Sequence, residues 1–471
     1  MMLDRSTLAR WTADIRFWVA IAFVVRLFGI TNPPLETSHH WRQTSVLMVA
    51  RNFVEHGVDL LHPRMDTAGD LTGITGMEFP LLQLLVALGT MLFGDANCTG
   101  RLIVLVAGSM GTLFFHALLK RHLGERVALC ASLILLVSLW FMYSRKVMPD
   151  VFALSLVIAG MERLDAAMRE RGRWLPILLG TLLVMAGLLA KVTAGFLLAA
   201  WPMLVWDRRR TIAPWIASAA ILLATIPALW WYLRWVPHLV ETYGYWHFFM
   251  GKPLAQGAAE LIAKWPRVLD NFYFDALRFS GCAAFLTGLV IAVKRRMVGL
   301  LCAFLSLSAA FLVVMMLAGD TFWIHAYYVL PFIPVMAVFA GLAVAEVNDH
   351  RWRAGIITLI AVEGLLAQAN DFTLSPRLTP LLALEQDLGT DRGLIATNTG
   401  QDPTAMYFAH RRGWTLSNAA LNDPATLLHL EQQGCTRIVI LNELFEQDTP
   451  LPWPVLLETP AYRIHAPTLG K

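Results

Sequence analysis

The first long polar stretch of the chain brings cations and carboxylates together within one predicted loop, residues 32–78. Arginine can hold a phosphate group through charge-assisted hydrogen bonds, and a carboxylate can accept a proton from a hydroxyl group. The alternative is a solvated loop with local salt bridges, which are common and weak at protein surfaces. The candidate residues of this loop are Glu36, His40, Arg42, Gln43, Arg64, Asp66, Asp70 and Glu78.

Charged residues also interrupt the apolar sequence at two further positions. Arg145, Lys146 and Asp150 lie in one short turn, where Asp150 is also explained by the dipole of the helix that Pro149 begins. Lys191 stands alone between two apolar segments, where it either snorkels to the interface or binds a phosphate. An intramembrane charge costs several kcal/mol unless it is paired or faces water, so each place is a candidate site.

A last short polar loop contains Asp320, His325, Tyr327 and Tyr328. Aromatic anchoring at the membrane interface explains these residues without a site. His325 and Tyr328 are also suited to contact a sugar or a phosphate.

Motifs for metal or nucleotide binding are weak or absent in the sequence. Adjacent histidines such as His39 and His40 usually point in opposite directions in an extended loop, and no HExxH motif or spaced Cys/His set accompanies them. The metal ligands are therefore unknown, no cofactor is certain, and a divalent metal ion stays possible. The lack of Walker and Rossmann glycine-rich loops argues against an ATP-driven pump.

The elements that must position these residues are membrane helices. Of the 471 residues, 57% are hydrophobic and 15% are charged, against about 25% charged in soluble domains. The net charge of +4 comes from short basic clusters between apolar segments, so we expect no nucleic-acid partner. The candidate apolar segments are residues 16–31, 79–94, 101–119, 126–143, 149–161, 174–190, 192–206, 211–232, 278–293, 298–318, 324–345 and 354–369.

The basic clusters predict the topology. Placing clusters such as Arg208–Arg210 and Lys294–Arg296 in the cytoplasm puts the N-terminus, with Arg5, Arg10 and Arg16, inside and the C-terminal tail outside. These ends require an odd number of crossings, so one segment does not cross or one further span is split. The short segment 79–94 is the best candidate to lie in the outer interface. We therefore predict an all-α polytopic membrane protein with about 11–13 transmembrane helices.

Three regions are predicted to share the outer face. The first loop, residues 32–78, contains an amphipathic helix over residues 43–55, and residues 233–277 form an aromatic-rich second loop. Residues 371–471 form a small α/β domain with a strand at 437–441 and helices near 378–388 and 424–433. The predicted domains are thus a transmembrane catalytic domain, residues 1–370, and a soluble periplasmic domain, residues 371–471.

The order of short motifs over residues 16–345 resembles a known group of proteins. The motifs are Ala50-Arg51-Asn52-Phe53, Pro63-Arg64, Glu78-Phe79-Pro80, Ser144-Arg145, Pro149-Asp150, Leu189-Ala190-Lys191 and Tyr327-Tyr328-Val329-Leu330-Pro331. They are similar to the GT-C superfamily of membrane glycosyltransferases, specifically bacterial family 39 relatives of protein O-mannosyltransferases and the lipid A aminoarabinose transferase. His40-Trp41-Arg42-Gln43-Thr44 resembles an uncharacterised bacterial branch of the same group.

This resemblance implies an enzyme of the bacterial inner membrane with a periplasmic active site. It would move a hexosyl or pentosyl group from a polyprenyl-phosphate carrier to a lipid, glycan or protein acceptor in cell-envelope glycoconjugate synthesis. The implied roles are general base for Glu36 or Asp66, with Asp70 or Asp150 as substitutes, and positioning of the acceptor or a metal for Asp150 and Glu78. The remaining substrate-binding candidates are His40, Arg42, Gln43, Arg64, Arg145, Lys191, His325 and Tyr328.

Two departures from the resembling family shape these assignments. Arg42 stands where relatives carry an acidic residue, and Phe79 stands where the aminoarabinose transferases carry a lysine. Phosphate binding would then depend on Arg42, Arg64, Arg145 or Lys191. Two alternatives are a flippase or transporter of lipid-linked sugars and a polymerase or ligase of lipid-linked oligosaccharides. Transporters commonly show internal repeats, and the sequence contains none that we detect.

Overall fold

A computed structural model describes residues 11–169, 174–246, 251–442 and 450–467. The basic residues Arg5, Arg10, Arg171 and Arg173 lie outside the described residues. The chain forms two compact units, each assembled from three stretches of sequence. The first unit comprises Met1–Ile30, Arg101–Tyr232 and Phe249–Asn370, and the second comprises Thr31–Gly100, Leu233–Phe248 and Asp371–Lys471.

The first unit is helical. Its α-helices are Ile15–Arg26, Ala96–Leu123, Glu125–Val137, Trp140–Tyr143, Pro149–Ala167, Trp174–Ala190, Trp201–Val205, Ala213–Trp230, Leu254–Ala263, Trp265–Asp270, Arg278–Lys294, Val298–Ala318, Asp320–Ile324, Ile333–Ala345 and His350–Ala367. Of these, Ala96–Leu123 begins in the second unit. The 3-10 helices are Val192–Ala200, Trp206–Arg208, Ala326–Phe332 and Ala369–Phe372, and the π-helices are Trp231–Trp235 and Asn271–Ala276.

Several of these helices are suited to cross a membrane. By length and composition, four described stretches qualify, namely Ala96–Leu123, Ala213–Tyr243, Val298–Ala318 and Ala326–Ala345. A fifth arises if the pair Trp265–Ala276 and Arg278–Lys294, bent by 98°, is one span. The predicted helical membrane architecture is confirmed, and the number of crossings stays a prediction.

Two predicted segments take shapes that hydropathy does not reveal. Segment 126–143 is interrupted at Ser138, whose extended backbone ends one helix and whose hydroxyl accepts a hydrogen bond from the backbone N–H of Trp140. Segment 79–94 forms the helix Leu81–Phe93 of 13 residues, about 20 Å long, in the second unit. This length is shorter than the roughly 30 Å of a bilayer core, as the interfacial assignment requires.

Glycines bring the helices Pro149–Ala167 and Trp174–Ala190 into close contact. A Cβ atom on Gly160 would lie 2.8 Å from the carbonyl oxygen of Gly180, and one on Gly187 would lie 2.8 Å from that of Ala153. Only hydrogen fits at such distances, so the two backbones pack directly against each other, as small residues allow in membrane helices. The N-terminal end of the first helix therefore lies beside the C-terminal end of the second.

The second unit combines the helix His40–His56 with a five-stranded sheet. The predicted helix is confirmed, and Val46, Val49, Ala50 and Phe53 are buried as expected. Residues 42–50 are all buried, however, so this part of the helix is covered on every side and does not expose one polar face. The strands are β1 (Leu394–Thr397), β2 (Gly413–Thr415), β3 (Cys435–Leu441), β4 (Val455–Glu458) and β5 (Tyr462–His465). Their order is β2-β1-β3-β5-β4, with β1 parallel to β2 and β3.

The remaining helices of the second unit agree with the predicted α/β tail. Thr379–Ala383 and Leu384–Asp387 form the predicted patch at 378–388, and Pro424–Gln432 forms the patch at 424–433. The other helices are Val236–Tyr243, Thr404–Ala409 and Asn418–Leu421. The first loop covers the edge strand β2, since the backbone N–H of Gly413 donates to the carbonyl of Asp66. A covered edge cannot pair with another chain.

Candidate active site

In the first unit, the buried Asp150 forms an ion pair with the half-buried Lys191. Lys191 Nζ lies 2.5 Å from Asp150 Oδ1. Asp150 follows Pro149 in the first turn of its helix and is 4% exposed, and the Lys191 side chain is 19% exposed. The second carboxylate oxygen, Oδ2, is buried and has no hydrogen-bond partner among the residues that the structure describes. This oxygen keeps the capacity to accept a hydrogen bond.

Aromatic side chains surround this lysine. The Lys191 ammonium lies 5.3 Å from the ring centre of Tyr327 and 6.0 Å from that of Tyr328. The His325 ring stacks at 5.5 Å from Tyr327 and 6.3 Å from Tyr328. Three of the predicted residues, Lys191, His325 and Tyr328, are therefore neighbours. Asp320 instead accepts a hydrogen bond from Trp323 Nε1 at 3.1 Å.

The turn over residues 144–150 carries its cations inside the protein. Arg145 and Lys146 are both 0% exposed. Arg145 Nη2 donates to the carbonyl oxygens of Phe28 and Gly29 at 3.0 and 2.9 Å. The Lys146 ammonium lies 5.8 Å from the ring centre of Tyr143. The turn therefore adds positive charge to the buried end of the helix that carries Asp150.

Arg26 is a buried cation that the sequence analysis does not single out. It is 0% exposed and donates a hydrogen bond from Nη1 to Ser144 Oγ, at the start of the turn. Its signal was present, because a lone arginine inside an apolar segment is costly and marks a candidate site. It was missed because Arg26 lies within the predicted segment 16–31 and was counted as part of the first helix.

The opposite end of the helix Pro149–Ala167 holds a different ionic cluster. Arg121 pairs with Glu162 and Asp165 at 2.7 Å each, and both carboxylates are about fully buried at 1% side-chain exposure. Asp165 also accepts from His122. At about 1.5 Å per residue, Asp150 and Asp165 lie on the order of 22 Å apart along the axis. Carboxylates thus occur at both ends of the helix, and only Asp150 pairs with a lysine beside tyrosines.

In the second unit, Arg42 and Glu78 form a buried pair. Arg42 Nη2 lies 2.6 Å from Glu78 Oε1, with side-chain exposures of 4% and 9%. Gln43, the next residue, is also fully buried in the helix His40–His56. The predicted cation and carboxylate of the first loop are therefore joined inside the protein, which excludes a solvated surface pair.

Asp66 is held by two residues of the same helix. Arg51 Nη2 donates to Asp66 Oδ2 at 2.7 Å, and Asn52 Nδ2 donates to Oδ1 at 3.0 Å. Both carboxylate oxygens already have donors. Arg51 also donates to the carbonyl of Tyr407 and lies 4.8 Å from its ring centre, where burial raises the pKa of the phenol. These contacts fix the first loop to the C-terminal tail.

The other predicted residues of the first loop have different surroundings. His40 Nε2 lies 3.0 Å from Asp402 Oδ2. Glu36 is fully buried and forms an isolated antiparallel bridge with Leu374. Arg64 and Asp70 are exposed. Among the described residues, no group of three or more His, Cys, Asp or Glu side chains is placed to hold a metal ion.

One family model matches part of the sequence. Residues 78–231 match the family model described as dolichyl-phosphate-mannose-protein mannosyltransferase. A comparison with curated proteins finds no match.

Solved structures resemble nearly the whole chain. The apo state of ArnT from Cupriavidus metallidurans matches with a TM-score of 0.61 and 13% identity, over 96% of this chain and 98% of that chain. ArnT bound to undecaprenyl phosphate matches with a TM-score of 0.61 and 14% identity, over 95% and 98%. The Archaeoglobus fulgidus oligosaccharyltransferase in complex with Zn and sulfate matches with a TM-score of 0.56 and 12% identity, over 90% and 67%.

At these identities the structural likeness establishes the fold, which is the GT-C fold. Together with the family match over residues 78–231, this fold supports a membrane glycosyltransferase of the GT-C type. The resemblance and the enzyme class predicted from the sequence are confirmed. The apolar helices fit a multi-pass membrane protein.

Proposed function

We propose that this enzyme moves a sugar from a polyprenyl-phosphate carrier to an acceptor at the periplasmic face of the bacterial inner membrane. The acceptor is a lipid, glycan or protein of the cell envelope. The observation that carries the proposal is the buried Asp150–Lys191 pair beside Tyr327 and Tyr328. This group of residues combines a cation that can bind a phosphate, a carboxylate with one oxygen that accepts no hydrogen bond from a described residue, and aromatic rings that can contact a sugar.

Two findings support the carrier. The family match over residues 78–231 includes Glu78, Arg145, Asp150 and Lys191. One structure with the same fold, ArnT from Cupriavidus metallidurans, holds undecaprenyl phosphate. A phosphate needs a cationic site that excludes water, and Lys191 with the buried Arg145 supplies that chemistry.

The proposed reaction places charge where these residues lie. As the bond between sugar and phosphate breaks, the leaving phosphate gains negative charge. Lys191, held by Asp150, and Arg145, held by backbone carbonyls, are fixed before the reaction. Fixed cations in a buried site stabilise such charge without reorganisation. The acceptor hydroxyl oxygen forms a bond to the sugar carbon that leaves the phosphate, and its proton passes to a carboxylate.

Three carboxylates are candidates for this base. Asp150 offers the buried oxygen Oδ2, which has no donor among the described residues. Both oxygens of Asp66 already accept hydrogen bonds from Arg51 and Asn52, which fix the first loop to the helix His40–His56. Glu36 is fully buried in the second unit. We propose Asp150 or Glu36 as the base and a structural role for Asp66.

The charge distribution of the first unit supports the proposed sidedness. Near the last turn of the helix Pro149–Ala167 lie Arg121, Arg169 and Arg208, the last of which donates to the carbonyl of Met168. Basic residues favour the cytoplasmic side, so the opposite end, with Asp150, would face the periplasm. The tail, residues 371–471, would then help to choose the acceptor.

The test is transfer by the purified full-length protein in nanodiscs. Radiolabelled polyprenyl-phosphate sugars are offered with membrane-extract acceptors, with and without divalent cations. We expect transfer from at least one donor, its loss in Lys191→Met, and its retention in Lys252→Met, which breaks a comparable Lys252–Glu260 pair. Asp150→Asn, Glu36→Gln and Asp66→Asn compare the bases. No transfer and no donor hydrolysis with any sugar, alongside flipping of labelled lipid in liposomes, would overturn the proposal.

A further inference from the structure

The first helix ends on a buried arginine that reaches the turn over residues 144–150. Arg26 is the last residue of the helix Ile15–Arg26. Its Nε donates to the carbonyl of Ala22 at 2.9 Å, and its Nη1 donates to Ser144 Oγ. Ser144 Oγ in turn donates to the carbonyl of Phe141 at 2.9 Å, and the Arg26 guanidinium lies 5.2 Å from the Phe141 ring centre. Arg26 thus holds the first residue of the turn.

A second arginine makes the reciprocal contact. Arg145, next to Ser144, donates to the carbonyls of Phe28 and Gly29, which follow the helix that Arg26 ends. Each of the two segments therefore sends one guanidinium to the other. The turn also packs closely on the helix Ala96–Leu123, where a Cβ atom on Gly108 would lie 2.5 Å from Ser144 Cβ. We call the contacts of Arg26 with Ser144 and of Arg145 with Phe28 and Gly29 the arginine clamp.

Packing and charge do not favour an arginine at position 26. Arg26 is fully buried, and in the described part of the chain no carboxylate forms an ion pair with it. Contacts with serine hydroxyls, the Phe141 ring and the C-terminal end of a helix offset only part of the desolvation cost. Apolar residues of similar volume are often as stable as a buried charge. The arginine is therefore better explained by what it positions.

We propose that Arg26 is a positioning residue of the sugar transfer, acting through the turn it clamps. The turn over residues 144–150 leads directly into Pro149 and Asp150, whose carboxylate holds Lys191. Fixing Ser144 and Arg145 fixes where that helix begins, and thereby where Asp150 meets Lys191. The inference rests on the proposed function of the Asp150–Lys191 pair. A misplacement of about 1 Å in such a pair costs on the order of 100-fold in rate.

The experiment measures kcat and donor KM for variants of the clamp in nanodiscs. Arg26→Met removes the fork, Arg26→Lys keeps the charge, and Ser144→Ala removes the acceptor. Arg16→Gln, on the same helix with an 80% exposed side chain, is the matched control. We expect kcat to fall by about 100-fold in Arg26→Met with little change in donor KM. Arg26→Lys should recover part of the loss, and Arg16→Gln should behave as wild type.

The double variant Arg26→Met/Ser144→Ala separates positioning from general damage. If both residues act through one clamp, the double variant loses no more kcat than Arg26→Met alone, because coupled residues are non-additive. Additive losses, or a kcat for Arg26→Met equal to that of Arg16→Gln, would overturn the inference. A melting temperature is recorded for every variant, and Ser144→Ala tests the clamp if Arg26→Met does not fold. Inactivity of the wild type would instead count against the proposed function.

Discussion

The Lys191 ammonium and the Asp150 carboxylate lie 2.5 Å apart at adjoining ends of two helices that pack through glycines. Their meeting depends on backbone contact along the two helices, since Gly160, Gly180 and Gly187 set the distance between the helices. The packing of the two helices thus determines the distance between Lys191 and Asp150. A change at one of these glycines should therefore act on the ion pair.

Breaking the ion pair should abolish transfer without unfolding the protein. We expect Lys191→Met and Asp150→Asn each to lower kcat by about 100-fold or more. Lys191→Met removes the cation that stabilises the leaving phosphate, and Asp150→Asn removes the carboxylate that holds this cation and is a candidate base. The double variant should be no less active than the less active of the two single variants, since each residue acts with the other. Radiolabelled sugar transfer measures the rates, and fluorescence-detected gel filtration reports folding. Full activity of Lys191→Met would remove this residue from the site.

Overpacking the glycine contact should displace the same pair. Gly187 lies one helical turn before Lys191, whose backbone N–H donates to its carbonyl at 3.0 Å. A valine there would clash with the Ala153 carbonyl, which a Cβ atom already meets at 2.8 Å, and should cost about 1–3 kcal/mol. Gly187→Val should lower both the melting temperature and kcat. The control is Gly299→Ala, where nothing lies within 4 Å of the added Cβ. Equal effects at both positions would contradict the argument.

Sequence patterns predicted the helices and strands better than they predicted which residues contact each other. Apolar runs indicated the helices of the first unit, and the β-rich run at residues 437–441 indicated the strand β3, because both patterns are local. The pairing of Arg42 with Glu78 joins residues far apart in sequence, and periodicity carries no information about such contacts. Arg26 was overlooked for a related reason: hydropathy averages a single charge into its apolar surroundings.

The first loop also shows that contacts between distant parts of the chain could not be predicted from local patterns. Its helix was predicted, yet its attachment to residues 371–471 through Arg51 and Tyr407 was not. Whether Glu36, Asp66 or Asp150 acts as the base also depends on which oxygens are already bound. Only the structure shows that Asp66 accepts from Arg51 and Asn52.

The Arg42–Glu78 pair offers a way to separate stability from function. Arg42→Met leaves Glu78 buried without this cation and should destabilise the protein by about 3–5 kcal/mol. Replacing both residues, as in Arg42→Met/Glu78→Leu, should restore most of the melting temperature, because apolar pairs of similar volume pack well. We expect transfer to stay low in the double variant if the pair binds substrate. Recovery of transfer together with stability would show that the pair is structural.

The packing of the C-terminal sheet can be tested through the reactivity of Cys435. This thiol lies in the central strand β3, and burial raises its pKa to about 12. Since the thiolate is the reactive form, Cys435 should stay unmodified by iodoacetamide at neutral to mildly alkaline pH in the folded protein and react once the protein is denatured. Mass spectrometry of tryptic peptides measures the modification. Ile438→Ala, which opens a cavity among the buried neighbours of Cys435, should speed the reaction, whereas Leu428→Ala at an exposed position should not. Rapid modification of Cys435 in the wild type would contradict a packed sheet in the tail.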